Sequence, residues 1–278
     1  MSYQCILVHV DDSESVAIRL GAAARLARAF DADLIGAYVV PTRSLSPSIA
    51  AVLPDTFVEQ RLHDTGEAQN AAEALFRAAA ARARLTAAEW RAPPGEPIET
   101  LVQHARSTDL VIVGQSDPDD AHSEFFTHVA DALVLRSGRP VLAVPHAIAS
   151  PTIGSSVLVV WTGSRESARA VADAMPMLAR AQNVHLVTIG DADDAEGAEA
   201  AADQRLASWL RYHGIDVVAR RHLGSTDVGD LILSESAELA ADLIVMGADA
   251  HTRGQHPALS GATRSVLDAM TVPVLLAH

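Results

Sequence analysis

The sequence predicts an α/β protein made of two tandem repeats of an open five-stranded parallel sheet with helices on both faces. Three observations lead there. The chain repeats itself: CILVHVDDSESVAIRL (residues 5–20) aligns without a gap on SVLVVWTGSRESARAV (156–171), with Ile6 on Val157, Val10 on Trp161 and Ser13 on Ser164, and the same alignment carries LIGAYV (34–39) onto HLVTIG (185–190). A second landmark recurs later in each half, TDLVIVG (108–114) as ADLIVMG (241–247) and RPVLAVPH (139–146) as VPVLLAH (272–278). The apolar runs are continuous rather than alternating, as strands of a parallel sheet buried on both faces should be, and helical periodicity separates them.

In the first half, strands are expected at 5–10, 33–40, 87–92, 109–114 and 140–145, and helices at 14–30, 56–84, 96–107 and 123–137. Pro41, Pro47 and Pro54 mark 41–55 as a loop or a broken helix start. The second half repeats the pattern, with strands near 156–161, 184–189, 216–221, 242–246 and 273–277 and helices near 165–180, 195–213, 227–239 and 260–270. The stretch AIASPTIG (147–154) carries Pro, Gly and Ser with no periodicity, and divides the chain into domains 1–147 and 154–278. Right-handed crossovers then place helices on both faces of each sheet.

Composition removes several function classes. With 278 residues, 49% hydrophobic and 20% charged, the chain can bury a core, and with only 4% aromatic residues that core is aliphatic. A net charge of -14 and no basic cluster argue against nucleic acid and against anionic membrane surfaces. Every basic residue is Arg, which excludes a phosphate-binding Walker Lys and a Schiff-base Lys. Cys5 is the only cysteine, so no intrachain disulfide or Cys-x-x-Cys pair can form. No apolar run reaches membrane-spanning length, and the opening lacks the basic region of a signal peptide, so a cytoplasmic location is expected.

Ligands of open parallel sheets bind beyond the carboxyl ends of the strands, where strand order reverses. That nominates the end of each half's first strand, Asp11-Asp12-Ser13 or Thr162-Gly163-Ser164, and the loop after its fourth strand, from Gly114 or Gly247. The loop GADAHTRGQHPALSGATR (247–264) suits an anion. Gly247 and Gly254 permit close backbone approach, Ser260 to Thr263 open a helix whose N–H groups attract negative charge, and His251, Arg253 and Arg264 add donors. An ordinary capped helix after a surface loop explains the same residues. The counterpart loop 114–131 carries Asp117, Asp119, Asp120 and Glu124, which would repel a triphosphate, and is read as structural or partner-facing.

These residues resemble the universal stress protein family, two domains of it in tandem. The resemblance is carried by Val10, Asp11 and Ser13 after the first strand, by the 242–247 strand, and by the closing run from Thr263 to Leu275. It implies an adenine nucleotide alpha hydrolase-like fold, a cytoplasmic stress-response role and dimer formation. A tandem chain can satisfy that pairing inside itself through its final strands, as an internal pseudo-dimer, with a homodimer of chains as the alternative. Part of the family binds ATP through Gly-x2-Gly-x9-Gly-Ser/Thr after the fourth strand, with an Asp of the first strand on the nucleoside side. Here the pattern is incomplete. In the second half Gly247 fits, Ala250 replaces the second Gly, Ser260-Gly261 reverse the closing pair, and Thr162 replaces the Asp. In the first half Asp11 and Gly114 fit, but Asp117 and Thr127-His128 break the rest.

The cofactor-binding set expected from this reading is Gly247, Ala250, His251, Arg253, Ser260, Gly261, Thr263 and Thr162, with ATP or another adenine nucleotide bound weakly in the second domain only. No catalytic residue and no metal site is nominated. Of the 12 histidines, His251, His256 and His278 lack a helical ligand spacing and read as solvated loop residues; the lesser alternative is a cation shared by His122 and His128 with Asp117 and Asp120. Ser13 and Ser164 are expected to cap the helices that follow, and Asp227 and Asp230 to favour the start of theirs. Trp161 either fills the space of an adenine or packs the core. The expected function is a non-catalytic stress-response protein. The alternatives are a slow ATP-hydrolysing switch and an interaction scaffold with no nucleotide, each acting on protein partners the sequence does not name.

Overall fold

The computed structural model of the protein describes residues 2–41, 55–116, 129–147, 152–190, 198–223, 227–253 and 256–278. In the first half, β1 (Cys5–Val10) leads to α1 (Val16–Phe30), β2 (Asp33–Tyr38), β3 (Val40–Pro41), α2 (Asp55–Arg82), β4 (Ala88–Arg91), β5 (Pro94–Gly95), α3 (Pro97–Ala105), β6 (Leu110–Gly114), α4 (Val129–Arg136) and β7 (Val141–Val144). The second half runs β8 (Ser156–Trp161), α5 (Arg165–Leu178), β9 (Asn183–Gly190), α6 (Ala198–Tyr212), β10 (Val218–Leu223), α7 (Val228–Glu238), β11 (Leu243–Gly247), β12 (Ala250–Arg253), β13 (His256–Leu259), α8 (Gly261–Ala269) and β14 (Val274–Ala277).

Each half folds as the expected open parallel sheet, in the order β4-β2-β1-β6-β7 and β10-β9-β8-β11-β14, and every neighbouring pair within a half is parallel. The two sheets join into one of ten strands through β7 and β14, which pair antiparallel with Leu142 opposite Leu275. The final strands therefore do pair within the chain. Alternation along the strands divides the core into two layers. Ile6, Val8 and Val10, with Val157 and Val159, pack under α1, α2, α5 and α6. Leu7, Leu158 and Val160 pack under α3, α4, α7 and α8.

Several expectations shift. The helix expected from 14 begins at Val16, and the strand expected through 40 ends at Tyr38, after which Val40–Pro41 pairs with Pro94–Gly95 in a ladder of its own. Of the helix expected at 123–137, Val129–Arg136 is described. The loop expected after β11 is instead a hairpin, with β12 antiparallel to β13 and Ala250 opposite Leu259. Among the described residues no helix is long and apolar enough to cross a membrane.

The seam between the halves is closed by side chains as well as by strands. Arg264 of α8 pairs with Asp131 of α4, positions that the repeat sets on each other. Gln115, just past β6, donates from Nε2 to the carbonyls of Leu267 and Asp268 (3.0 Å each), satisfying the C-terminal end of α8. On the opposite face the Tyr3 hydroxyl donates to the Asp173 carbonyl at 2.8 Å, and the Arg180 guanidinium lies 4.4 Å over the Phe30 ring.

Candidate functional site

Strand order reverses between β1 and β6 in the first half and between β8 and β11 in the second. Two crevices therefore open beyond those strand ends, and their contents differ.

In the first, the Asp11 carboxylate accepts from Arg19 Nη2 at 2.5 Å, from the Ser13 hydroxyl at 2.6 Å and from the Ser13 amide at 3.1 Å, while His9 Nδ1 stands 3.6 Å away. Arg19 is only 3% exposed although it sits on a helix. Its guanidinium lies hard against Gly114, where even a β-carbon would collide with Nη1. The cation thus fills the gap between α1 and the end of β6, and its Nε has no acceptor among the described residues. Burial alone would raise the Asp11 carboxyl, but Arg19, His9 and the Ser13 hydroxyl together hold it well below the usual carboxylate range. The family-type Asp is therefore present, but committed to an internal partner. Sequence reading passed over Arg19. The available signal was one cation inside the apolar stripe formed by Val16, Leu20, Ala23 and Ala27.

His9 gives this cluster a pH signature. Burial pulls its imidazole down to about 4, with Asp11 opposing and Arg19 adding to the shift. A depressed histidine stabilises the fold above its unfolded pKa of about 6.5, and that stability is lost as pH falls toward the folded value. Denaturant titrations from pH 7 to pH 4 should lose roughly 3 kcal/mol to this group. His9→Gln should flatten that slope, and an unchanged slope in the variant would assign the acid lability elsewhere.

In the second crevice Thr162 replaces Asp11, and the repeat sets Ala170 where Arg19 stands. With no side chain to wedge it away, the start of α5 packs backbone to backbone on Gly247, whose absent β-carbon would lie 2.6 Å from the Glu166 carbonyl carbon. Thr162 is exposed and donates from its hydroxyl to Ser164 Oγ at 2.9 Å. Ser164 caps α5 by accepting from the Ser167 amide at 3.1 Å. Ser13 does not do the same for α1: it holds Asp11 instead, and the cap residue Ser15 makes no side-chain cap bond. Asp227 caps α7 by accepting from the Asp230 amide.

The β12–β13 hairpin carries the chain from Gly247 to α8, and the Ser260 amide donates to the Asp249 carbonyl at 2.8 Å, so the hairpin returns α8 to within two residues of Gly247. Ser260 caps α8, its hydroxyl accepting from the Thr263 amide (3.4 Å). Thr263 is 1% exposed, with its hydroxyl 3.0 Å from that of Ser260, and so belongs to the cap rather than to an open surface. Gly261 is exposed and faces open space. The amides of Gly261 and Ala262 point off the end of the helix, where its dipole favours an anion. The structure thus brings Thr162, Gly247, Ser260 and Gly261 to one end of the sheet. Ala250, His251 and Arg253 are placed by backbone only, on β12, and their side chains lie outside the described residues. Arg264 is drawn to Asp131 across the seam rather than standing ready as an anion donor.

Trp161 packs against the core beneath α5, its Nε1 buried without an acceptor among the described residues. Asp117, Asp119, Asp120 and Glu124 of the acidic loop, with His122 and His128, lie outside the described residues, and among those described no three metal-ligating side chains gather. Cys5, half-buried in β1, has its thiol pushed up by burial, with Asp109 adding to the effect.

A family model described as the Universal stress protein family matches residues 2–145 and again 155–278. Among solved structures, a universal stress protein from Archaeoglobus fulgidus DSM 4304 is similar over 98% of this chain and 95% of its own, with a TM-score of 0.74 and 18% identity. A putative universal stress protein from Pseudomonas aeruginosa UCBPP-PA14 is similar over 99% of this chain and 93% of its own, with a TM-score of 0.63 and 17% identity. No curated protein matches the sequence.

Proposed function

The chain belongs to the universal stress protein family, and from that premise we propose that it is a non-catalytic cytoplasmic stress-response protein of two domains, 1–147 and 154–278, that binds one adenine nucleotide weakly in the second. The observation that carries this reading is the contrast between the crevices. The first is filled by Arg19 and charge-balanced by Asp11. The second ends in a capped helix whose leading Gly261 faces open space beside the end of β11. There the polyphosphate meets the α8 amides, Gly247 keeps the strand end compact, and Ser260 holds the helix start in place. The departures from the family pattern at Ala250 and Thr162 weaken the site rather than remove it.

Calorimetric titration with ATP tests it. The chain should take one nucleotide. Gly261→Asp places a carboxylate at the helix start and should reduce affinity at least 100-fold with the fold unchanged, since a side chain there meets nothing. Wild-type affinity in that variant would remove this site from consideration.

A further inference from the structure

A cavity of about 330 Å³ lies on the seam between the halves, within the size range of small-ligand sites. It lies at the far ends of the two helices that begin at the crevices: α1 contributes its last turns, α5 its C-terminal end, and the linker residues 152–155 one wall. The internal repeat explains why it exists. Asp109 receives the amides of Gln4 and Cys5, and its counterpart Asp242 receives those of Ser155 and Ser156, so Tyr3 and Gly154 occupy equivalent positions. Tyr3 fills its side of the seam, its ring 5.0 Å from Phe30 and its hydroxyl on the Asp173 carbonyl. The repeat sets Ala22 where Asp173 stands, and Arg25 and Leu26 form the next turn of α1. On that second side Gly154 supplies no ring. It sits at φ +85°, where a side chain would be strained, with its amide on Asp242 (2.9 Å). The chain therefore carries a tyrosine on one side of its seam and a hole on the other.

The lining states what the hole accepts. Leu26, Phe30, Ile153 and Met177 form an apolar floor, and Arg25 and Arg180 are two basic residues of its lining in a chain of net charge -14. Arg180 is partly occupied by the Ala29 carbonyl and the Phe30 ring. Arg25 makes no hydrogen bond or ion pair among the described residues. We propose that this groove is a binding site for a small aromatic anion, a single ring bearing a carboxylate or similar group, with the ring lying where the missing tyrosine would lie and the anion on Arg25.

The test uses the full chain and 4-hydroxyphenylacetate, followed by calorimetry or ligand-observed NMR. The expected dissociation constant is about 1 mM, as suits a ligand of this size. p-Cresol, which lacks the anion, and hexanoate, which lacks the ring, should each bind about tenfold more weakly. Arg25→Glu, at an exposed position, should cost about tenfold as well. Ala29→Trp, exposed on the same wall, should fill the groove and abolish binding while circular dichroism and melting stay unchanged. Gly261→Asp should leave this binding untouched, which separates the site from the nucleotide reading. Wild-type affinity in Ala29→Trp or in Arg25→Glu, equal binding of p-cresol, or no binding at all would overturn the proposal.

Discussion

Arg19→Ala is expected to destabilise the protein by about 3–5 kcal/mol, the range for breaking a buried ion pair on one side. The size follows from what is left behind. Asp11 is 12% exposed and loses its closest partner, and the Ser13 contacts alone do not repay the burial of a carboxylate. The space over Gly114 also empties, leaving a cavity between α1 and β6. Arg19→Met combined with Asp11→Asn should recover much of the loss, because it removes the charge from both sides and keeps most of the volume. Urea denaturation of the single and the double variant decides this. If the single variant costs less than about 1 kcal/mol, the pair behaves as a surface bridge and Arg19 is not what fills the first crevice.

The architecture was readable in the sequence because continuous apolar runs such as Cys5–Val10 and Leu243–Gly247 have one physical use, a strand buried on both faces, and because the repeat supplied each reading twice. Boundaries were less so. Val40 belongs to an apolar run yet pairs with Pro94 outside the main sheet, a tertiary choice that periodicity does not encode. The hairpin within 247–264 was missed since Ala250–Arg253 and His256–Leu259 lack strand alternation, and the backbone ladder alone defines them. At the site, Ser164, Ser260 and Asp227 were legible as caps because capping is local chemistry. Ser13 looked identical to Ser164 in the repeat but answers to Asp11, which Arg19 fixes from the first turn of α1. Such exchanges of partner depend on which side chains the fold brings together. The Tyr3 and Gly154 asymmetry is of the same kind: both letters were visible, but their equivalence needed the Asp109 and Asp242 contacts to establish it.

Asp242→Ala should be nearly as damaging as loss of Arg19, at about 4 kcal/mol, although Asp242 is in no crevice. Its carboxylate gathers the Thr152 hydroxyl (2.6 Å) and the amides of Gly154, Ser155 and Ser156, and it is 5% exposed. Truncation removes the shared acceptor of those donors at the entry to β8, and the buried Gly154 amide loses its partner there. Asp109, at the equivalent place, receives only the Gln4 and Cys5 amides among the described residues, so Asp109→Ala should cost about half as much. The comparison weighs the extra contacts made at the linker, because the two aspartates hold equivalent places ahead of β6 and β11. Hydrogen exchange adds a positional readout: Asp242→Ala should speed exchange through β8 before β1, and Asp109→Ala the reverse. Equal costs from the two variants would mean that the Thr152 and Gly154 contacts add nothing, and that the linker is held by the strands alone.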